Sequence, residues 1–521
     1  MRETLESYTL VFAVGAAVAV GAKRINMPYN VALVVIGLLL VFANVLPHAQ
    51  LDPEVVLVAF LPVLVFEAAL FADADSLRDA RRPILALAVP GVGMSLLATA
   101  GVATFALGLP FSAALLLGAL LSITDTVSVL LAFRSIRVPH RLAAIMEGES
   151  LFNDGTALVL VSLTTAVLAT GRVDYAATTR ALLLAIVGGV GVGAMFGWVG
   201  AAALRRTPDH LTGILTSGVL VFATSLLAER IHASPVIAVV VAALVVGRAA
   251  RHALEPSRVL ALQGFWEAVG FSINVLLFAL VGMQIDARMF LTEAGSILAA
   301  LIALHIGRAV AVYGCFAILR ALGREQIPLR WQHVMVYGNI KGALSMAAVL
   351  ATPADLPYRA RLITIVFGAT FVTLLMQALP FRRFLRMLDI GGMTNDVFDA
   401  ARARLIAARR GQTELDGMLE TGLLSRAEHA ERRAAFQRII IESELALRTP
   451  EADADDAIID GAVLAAQKAA LLDAARRGLV ANETADKEIA EIDRRLLKMS
   501  AHAEPSAHAP AAPSHIPPEA T

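Results

Sequence analysis

The sequence predicts an all-α protein that crosses a membrane many times. Hydrophobic residues make up 57% of the chain and charged residues 17%, and the mean hydropathy is +0.70. Soluble domains carry about 25% charged residues. Apolar runs of about 18 residues or more recur from Tyr8 to about Met387, which is the length that a helix needs to cross a bilayer. The runs lack the alternation of apolar and polar residues that marks the strands of a membrane barrel.

We predict thirteen membrane-spanning helices, at residues 8–22, 29–46, 54–72, 83–109, 111–133, 142–169, 180–204, 211–230, 233–249, 261–284, 290–319, 331–352 and 358–381. Lysines and arginines are concentrated in alternate loops, for example at Arg78, Arg81, Arg82, Arg134, Arg137 and Arg141. Positively charged loops stay in the cytoplasm. We therefore expect a multi-pass protein of the cell inner membrane, with its N-terminus outside and its C-terminus in the cytoplasm.

The composition changes after the last predicted span. Residues 1–390 are the predicted transmembrane domain. Residues 391–500 are rich in Ala, Leu, Glu and Arg with helical periodicity, which predicts a small cytosolic helical domain. Residues 501–521 are rich in Pro and Ala, which predicts a disordered tail.

Three further features limit the function. The formal net charge of zero argues against a nucleic-acid partner. The single cysteine, Cys315, excludes a disulfide framework. The glycine-rich stretch GVGVGAMFG, which starts at Gly189, follows no predicted strand, so it indicates close helix packing rather than a nucleotide loop. No cofactor is expected.

Strongly polar residues are rare within the spans. An ionisable group at the centre of a bilayer costs at least about 2.5–3.5 kcal/mol, so these residues are expected to face one another or a water-filled cavity. Asn274, in the tenth span, is expected to hydrogen-bond to a neighbouring helix. The others are Glu67 in the third span, Thr124, Asp125 and Thr126 in the fifth, Arg308 in the eleventh, and Asn339 and Lys341 in the twelfth.

The densest polar cluster is GESLFNDG in the sixth span. Successive residues of a helix turn by about 100°, so Glu149, Asn153, Ser150 and Asp154 form one polar stripe. Oxygen ligands suit a small, hard cation, and a desolvated carboxylate can also take up a proton near neutral pH. A carboxylate that holds either a cation or a proton, but not both, is the minimal exchanger.

The fifth and twelfth spans each contain a polar interruption, TDT at residues 124–126 and GNIKG at residues 338–342. They lie seven spans apart, and an odd offset inverts the topology. Paired interrupted helices in two inverted halves mark the binding site of many transporters. We expect Asp125 to offset the positive N-terminal end of a half-helix and Lys341 the negative C-terminal end.

These blocks resemble the monovalent cation:proton antiporter-1 family of sodium/proton antiporters. The resemblance rests on TDTV, GESLFNDG, GRAVAVY and GNIKGALSMA, with support from LPVLVFEAAL, ASPVIAVVVAALVVG and FWEAVGFSINVLLFALVG, and it covers about residues 8–385. It implies thirteen spans in two inverted six-helix repeats with crossed discontinuous helices. It also implies a homodimer in which each chain has a dimerisation part and a mobile core.

The resemblance also implies roles for single residues. Asp154 corresponds to the essential ion-binding aspartate, with Asn153 as its neighbour. Glu149 is expected to pair with Arg308, and Glu67 to lie near the ion path. The positions that match the cation site are Thr124, Asp125 and Ser150, and the expected ligands of the transported monovalent cation are Asp154, Ser150 and Thr124. Lys341 and Asn339 have supporting roles.

Two positions depart from the family pattern. Thr126 stands where the family often has proline, which removes a residue that would help to break the fifth helix. Lys341 stands where the family often has arginine, which replaces a guanidinium fork by an ammonium. Both leave the ion preference open. His305 and His333 could sense protons, although packing is the commoner role of lone histidines near span ends.

The sequence therefore predicts an antiporter rather than an enzyme. It is expected to exchange Na⁺ for H⁺ by alternating access around Asp154, with Li⁺ or K⁺ as alternative cations. Because Asn153 stands beside Asp154 in place of a second aspartate, we expect one-for-one, electroneutral exchange. Two other functions stay open: a cation channel, which would need a continuous pore, and an organic-anion carrier, which would need uncompensated cations at the site.

Overall fold

The fold is that of a computed structural model, which describes residues 9, 12–18, 20–22, 28–42, 52–125, 129–130, 133, 136, 138–172, 175–207, 209–284, 287–390, 396–447, 463–464, 466–474 and 482–502. These residues contain helices and no β-strand, which confirms the predicted all-α class. The chain divides into two compact units, residues 1–393 and 394–521.

The first unit is the membrane part of the chain. Its helices are α1 (Tyr29–Phe42), α2 (Val55–Phe71), α3 (Arg81–Leu107), α4 (Phe111–Ser122), α5 (His140–Thr170), α6 (Ala176–Arg206), α7 (His210–Arg230), α8 (Pro235–Ala253), α9 (Pro256–Met283), α10 (Ala294–Ala321), α11 (Leu329–Tyr337), α12 (Ala343–Leu350), α13 (Arg359–Ala378) and α14 (Phe381–Met387). Residues 12–18 and 20–22 are also helical, and short helices cover Ala74–Asp79 and Ala287–Thr292.

Eight helices in the described part of the chain are long and apolar enough to cross a membrane: α3, α5, α6, α7, α8, α9, α10 and α13. Shorter apolar helices cover residues 12–22, Tyr29–Leu40, Val55–Phe71 and Phe111–Ser122. The chain is therefore a multi-pass membrane protein, but these helices do not establish the predicted number of thirteen spans. The main packed pairs are α6 with α8, α3 with α10, α1 with α9, and α2 with α8.

Two helices are interrupted where the sequence predicts polar breaks. The first, α4, ends at Ser122, and Ile123 is extended (φ −66°, ψ 134°). The second break separates α11, which ends at Tyr337, from α12, which begins at Ala343. A Cβ atom on Gly342 would lie 2.8 Å from the Cβ of Asp125, so only glycine permits this close crossing. The first break forms without the family's proline, whose position, Thr126, lies outside the described residues.

The second unit contains a helical hairpin of α15 (Asp396–Glu420) and α16 (Arg426–Leu447), followed by α17 (Asn482–His502). A capping box starts α16: Ser425 Oγ accepts from the Glu428 N–H at 3.3 Å, and the Glu428 carboxylate accepts from the Ser425 N–H at 3.2 Å. The cytosolic location of this unit stays a prediction, and the expected tail lies mostly outside the described residues.

Candidate ion-binding site

A cavity of about 770 Å³ lies between α2, α5, α9 and the two helix breaks. It is far larger than a cation and could admit one with its water shell. Most of its wall is apolar, and its polar side chains converge from several helices. They are Glu67, Thr124, Asp125, Glu147, Ser150, Asp154, Glu267 and Asn274.

The predicted polar stripe of α5 divides between two environments. Ser150 and Asp154, one turn apart, line the cavity. Glu149 and Asn153 are buried and contact other helices of the unit. Only half of the stripe can therefore meet a solvated ion, while the other half fixes the position of α5.

Asp154 presents an incompletely satisfied carboxylate at the cavity wall. Its Oδ1 is buried and has no hydrogen-bond partner among the described residues. The hydroxyl of Ser150, a buried residue one turn earlier, borders the same cavity. Buried polar atoms without a partner are rare in folded proteins. These oxygens are therefore free to bind a cation, and Asp154 can alternatively take a proton.

Asn153 joins α5 to the first break. Its side-chain amide donates to Ser122 O at 3.0 Å and to Thr124 Oγ1 at 3.2 Å. The first bond satisfies a carbonyl at the end of α4, which has no partner within its own helix. The second fixes the hydroxyl of Thr124, which borders the same cavity as Asp154. Asn153 thus positions a neighbouring ligand candidate and does not itself line the cavity.

Glu149 and Arg308 form a buried, bidentate ion pair. The two N–H···O distances are 2.5 Å and 2.7 Å, and Arg308 Nε also donates to Met335 O at 3.0 Å. Met335 lies in the last turn of α11, where the helix dipole leaves partial negative charge. The pair therefore connects α5 and α10 to the half-helix before the second break.

Lys341 is fully buried at the second break and makes three hydrogen bonds. Its ammonium donates to Ile123 O at 2.9 Å and to Asn339 Oδ1 at 2.7 Å. Its backbone N–H donates to Thr373 Oγ1 at 3.1 Å. An ammonium cannot bind a cation, and Lys341 does not border the cavity. Its contacts fit the expected role at a helix C-terminal end, because Ile123 follows α4 directly.

Asp125 connects the two breaks from the cavity side. Its backbone N–H donates to Ile340 O at 2.8 Å, and its side chain borders both the cavity and Gly342, the residue before α12. A carboxylate near a helix N-terminus is stabilised by the helix dipole. Asp125 therefore places a carboxylate at the start of α12, on the wall of the cavity.

Three glutamates extend the acidic lining away from Asp154. Sequence reasoning included Glu67 but missed Glu147 and Glu267. The spacing of Glu147, Ser150 and Asp154 at i, i+3 and i+7 on one helix face was the signal that could have revealed Glu147. The expectation for Asn274 was wrong: its side chain borders the cavity, and it makes no hydrogen bond to a described residue.

One end of the cavity borders exposed residues. Gly264, Glu267 and Ala268, in the first half of α9, are exposed. Arg251, in the last turn of α8, and Arg258, in the first turn of α9, lie at this end of the two helices. Beyond Asp154, the next residue of α5 meets α8, and a Cβ on Gly155 would lie 2.6 Å from Ile237 Cγ1. This contact, the Gly155–Ile237 seal, is apolar and leaves no room for a side chain between α5 and α8 at this point.

The chain is similar to known proteins over most of its length. Residues 9–387 match a family model described as sodium/hydrogen exchanger, transmembrane. The Na(+)/H(+) antiporter NhaS2 of Synechocystis sp. is 35% identical over 95% of this chain and 94% of the relative. The Na(+)/H(+) antiporter NhaG of Bacillus atrophaeus is 29% identical over 94% of this chain and 96% of the relative.

The fold also matches a solved structure. The sodium proton antiporter MjNhaP1 from Methanocaldococcus jannaschii, solved at pH 8, gives a TM-score of 0.64 at 18% identity. The match covers 74% of this chain and 97% of that structure. At this identity the likeness shows a shared fold. With the family match over residues 9–387 and the similarity to full-length relatives, it leads to one conclusion: this chain belongs to the sodium/hydrogen exchanger family.

Proposed function

We propose that the protein exchanges Na⁺ for H⁺ across the inner membrane, with Asp154 as the shared binding group. The observation that carries this proposal is the buried, unpartnered Oδ1 of Asp154 at the wall of an acidic cavity. The printed names of the relatives, which are Na(+)/H(+) antiporters, support the choice of ions. Their sequences cover nearly the whole chain.

Competition at one carboxylate couples the two ions. Na⁺ binds to the ionised carboxylate with oxygens of Ser150 and Thr124, and a proton binds to the same carboxylate when Na⁺ has left. Because neither ion can bind while the other is present, each displaces the other. Ligands of this kind, carboxylate and hydroxyl oxygens, suit a hard monovalent cation.

The exchange is electroneutral in this proposal. Asn153 carries no charge, and its amide is occupied by Ser122 O and Thr124 Oγ1. Asp125 stays ionised throughout the cycle because it borders the start of α12. Asp154 is then the one group that changes its charge, so one proton leaves for each Na⁺ that binds.

Access alternates between the two sides of the membrane. The cavity opens at the helix ends that join the arginine-rich loops, which we place in the cytoplasm, so this conformation faces inward. The Gly155–Ile237 seal closes the opposite side. To face outward, α5 must move relative to α8, which separates this seal and closes the cavity. The functional form is a homodimer in the lipid bilayer.

The test is ion exchange by the purified full-length protein in sealed liposomes. An imposed Na⁺ gradient should drive proton movement in the wild type, and Asp154→Asn should abolish it. Asp355→Asn, the same change at an exposed position, is the matched control and should transport normally. Substantial Na⁺-dependent proton flux through the Asp154→Asn variant would refute the assignment.

Two additions to this experiment test the cation preference and the charge balance of the exchange. K⁺ or Li⁺ in place of Na⁺ measures the cation preference. Clamping the membrane potential with valinomycin and K⁺ tests charge balance in assays driven by Na⁺. A rate that does not change with the potential supports one-for-one exchange, and a rate that follows the potential contradicts it.

A further inference from the structure

Arginines from four helices converge at one end of the membrane unit. Arg82, at the start of α3, donates to Arg324 O at 3.4 Å. Arg141, at the start of α5, pairs with Glu325 at 2.6 Å. Both contacts fasten the loop between α10 and α11. The exposed arginines of this surface, which we call the arginine patch, are Arg81, Arg82, Arg141, Arg320, Arg324 and Arg330.

The arginine patch has little negative charge to balance it. Glu325 is the one carboxylate in residues 320–333, and it is engaged by Arg141. Within the part of the chain that the structure describes, Arg320, Arg324 and Arg330 form no ion pair. Their guanidinium groups can therefore bind an external anion, and the oxygens of a phosphate group match the guanidinium fork.

Exposed apolar side chains interrupt the arginine patch. Leu322 and Leu329 are 58% and 59% exposed, and they stand at the two ends of the loop between α10 and α11. Trp331, in the first turn of α11, is partly exposed. Arginines interleaved with leucine and tryptophan suit the boundary between lipid headgroups and acyl chains. A soluble phosphate compound would leave both leucines in water.

The length of α11 places the arginine patch at the depth of the headgroups. Asp154 lies midway along α5, His140–Thr170, and the cavity that it borders also touches Gly342 at the second break, so this break lies near the centre of the membrane. The nine residues of α11 cover about 13 Å. This is close to half of a hydrocarbon core of about 30 Å. Leu329, where α11 begins, therefore lies at the edge of that core.

The positive-inside rule alone would also place arginines on this face of the membrane. Arg205 and Arg206 illustrate that simpler case, because they are two successive exposed arginines at the end of one helix, α6. The arginine patch differs because it gathers guanidinium groups from four helices around exposed leucines. Each basic residue near an anionic lipid surface adds to the attraction, so such a cluster can select a charged headgroup.

We propose that the arginine patch binds the phosphate groups of anionic phospholipids, with Leu322 and Leu329 against the acyl chains. The bound lipid contacts the start of α11, whose last turn supplies the Met335 carbonyl that Arg308 binds. A headgroup at this position therefore holds the half-helix before the second break at a fixed depth. The inference goes beyond the exchange function, and testing it requires no transport.

The experiment uses tryptophan fluorescence of the full-length protein in bilayers of equal parts phosphatidylcholine and phosphatidylglycerol. The acyl chains of either lipid carry bromine, which quenches nearby tryptophans, so the composition stays constant and only the position of the quencher changes. Trp198→Phe leaves Trp331 as the reporter, because the remaining tryptophan, Trp266, is buried. Brominated phosphatidylglycerol should quench Trp331 more strongly than brominated phosphatidylcholine, corresponding to a local preference of about tenfold.

Two further proteins, both made with Trp198→Phe, test the arginines. Arg324→Gln with Arg330→Gln should remove the preference, so that the two brominated lipids quench Trp331 equally. Arg205→Gln with Arg206→Gln is the matched control and should keep it. If the first pair of substitutions prevents folding, the single variants Arg324→Gln and Arg330→Gln decide, and each should reduce the preference.

The location of the preference is tested with Trp331→Phe, in which Trp198 becomes the reporter. Trp198 is 73% exposed on α6, away from the arginine patch, and both brominated lipids should quench it equally. Inorganic phosphate, compared with chloride at the same ionic strength, should leave the preference at Trp331 unchanged.

Four results would overturn the inference. The first is equal quenching of Trp331 by the two lipids in the Trp198→Phe protein, and the second is a preference that persists without Arg324 and Arg330. The third is an equally strong preference at Trp198, which would show general attraction of anionic lipid to the protein. The fourth is a loss caused by inorganic phosphate and not by chloride, which would make the arginine patch a site for soluble anions.

Discussion

The two helix breaks look equivalent in the sequence, but the structure stabilises them differently. At each break a cation meets the carbonyl end of a half-helix: Lys341 bonds to Ile123 O, and Arg308 bonds to Met335 O. Arg308 is neutralised by the bidentate contact with Glu149. Among the described residues, no carboxylate forms an ion pair with Lys341.

This difference gives the two breaks different roles: we interpret the second break as a structural support and the first as the one that responds to ions. The charge of the Glu149–Arg308 pair is balanced whether or not an ion is bound, so the second break behaves as a fixed support. Lys341 has no such partner among the described residues, and we propose that its charge balances Asp154, which borders the cavity. In the proposed exchange, the first break is therefore the one whose electrostatic environment would change when an ion binds.

The largest effect on stability is expected at the Glu149–Arg308 pair. Replacing either residue alone by alanine leaves the other charge buried and unpaired, which should lower the free energy of unfolding by about 3–5 kcal/mol. The double variant should lose less than the sum of the two. Thermal unfolding of the four proteins in detergent gives the double-mutant cycle. Additive losses would mean that Glu149 and Arg308 do not stabilise each other.

The next largest loss of stability is expected when Lys341 is replaced. Lys341→Met removes a charged donor from Ile123 O and from Asn339 Oδ1, at a cost of about 2–3 kcal/mol. Ser345→Ala is the matched control, because Ser345 Oγ donates to the same carbonyl at 3.4 Å without a charge, and it should cost less than about 1 kcal/mol. Equal losses in the two variants would show that the charge of Lys341 is unimportant for the first break.

A smaller effect is expected from Thr373, which sequence reasoning did not identify. Thr373→Val keeps the shape of the side chain but leaves the buried N–H of Lys341 without an acceptor, at a cost of about 1–2 kcal/mol. Thr364→Val is the control, since that exposed hydroxyl bonds to Ala360 O within its own helix. Unfolding in detergent distinguishes the two. A loss at Thr364 as large as at Thr373 would remove Thr373 from the account of the second break.

Of these variants, Asp125→Asn should have the smallest effect on the free energy of unfolding. It should have a clear effect on transport. The side chain borders the cavity and is partly exposed, so the free energy of unfolding should change by less than about 1 kcal/mol. Loss of its negative charge should raise the apparent KM for Na⁺ about tenfold, which is about 1.4 kcal/mol. Flux measurements alongside unfolding separate the two effects. A folded variant with an unchanged KM would place the functional charge elsewhere.

Some of these features could be predicted from the sequence and others could not, for physical reasons. Ionisable residues in apolar spans must find partners or water, which is why the polar clusters and both breaks could be recognised. The division of the α5 stripe could not be predicted, because angles around one helix do not say which neighbour faces each side. Thr373 carried no signal either, since a threonine hydroxyl is usually satisfied by its own helix. Glu147 and Glu267 become informative once α5 and α9 are known to face one cavity.

The Gly155–Ile237 seal also determines where the membrane potential acts. The cavity of about 770 Å³ has room for tens of water molecules, and water is a far better dielectric than the surrounding apolar core. In the proposed inward-facing state, most of the voltage therefore falls across the layer beyond Asp154 rather than across the full bilayer of about 30 Å. A net charge crossing that layer would exchange about 2.3 kcal/mol with the field for each 100 mV. In the proposed one-for-one exchange, a carboxylate that crosses with one Na⁺ or one proton carries no net charge, so even this concentrated field does no work on it. The proposal therefore implies that the transporter runs at the same rate in an energised cell and in a depolarised one.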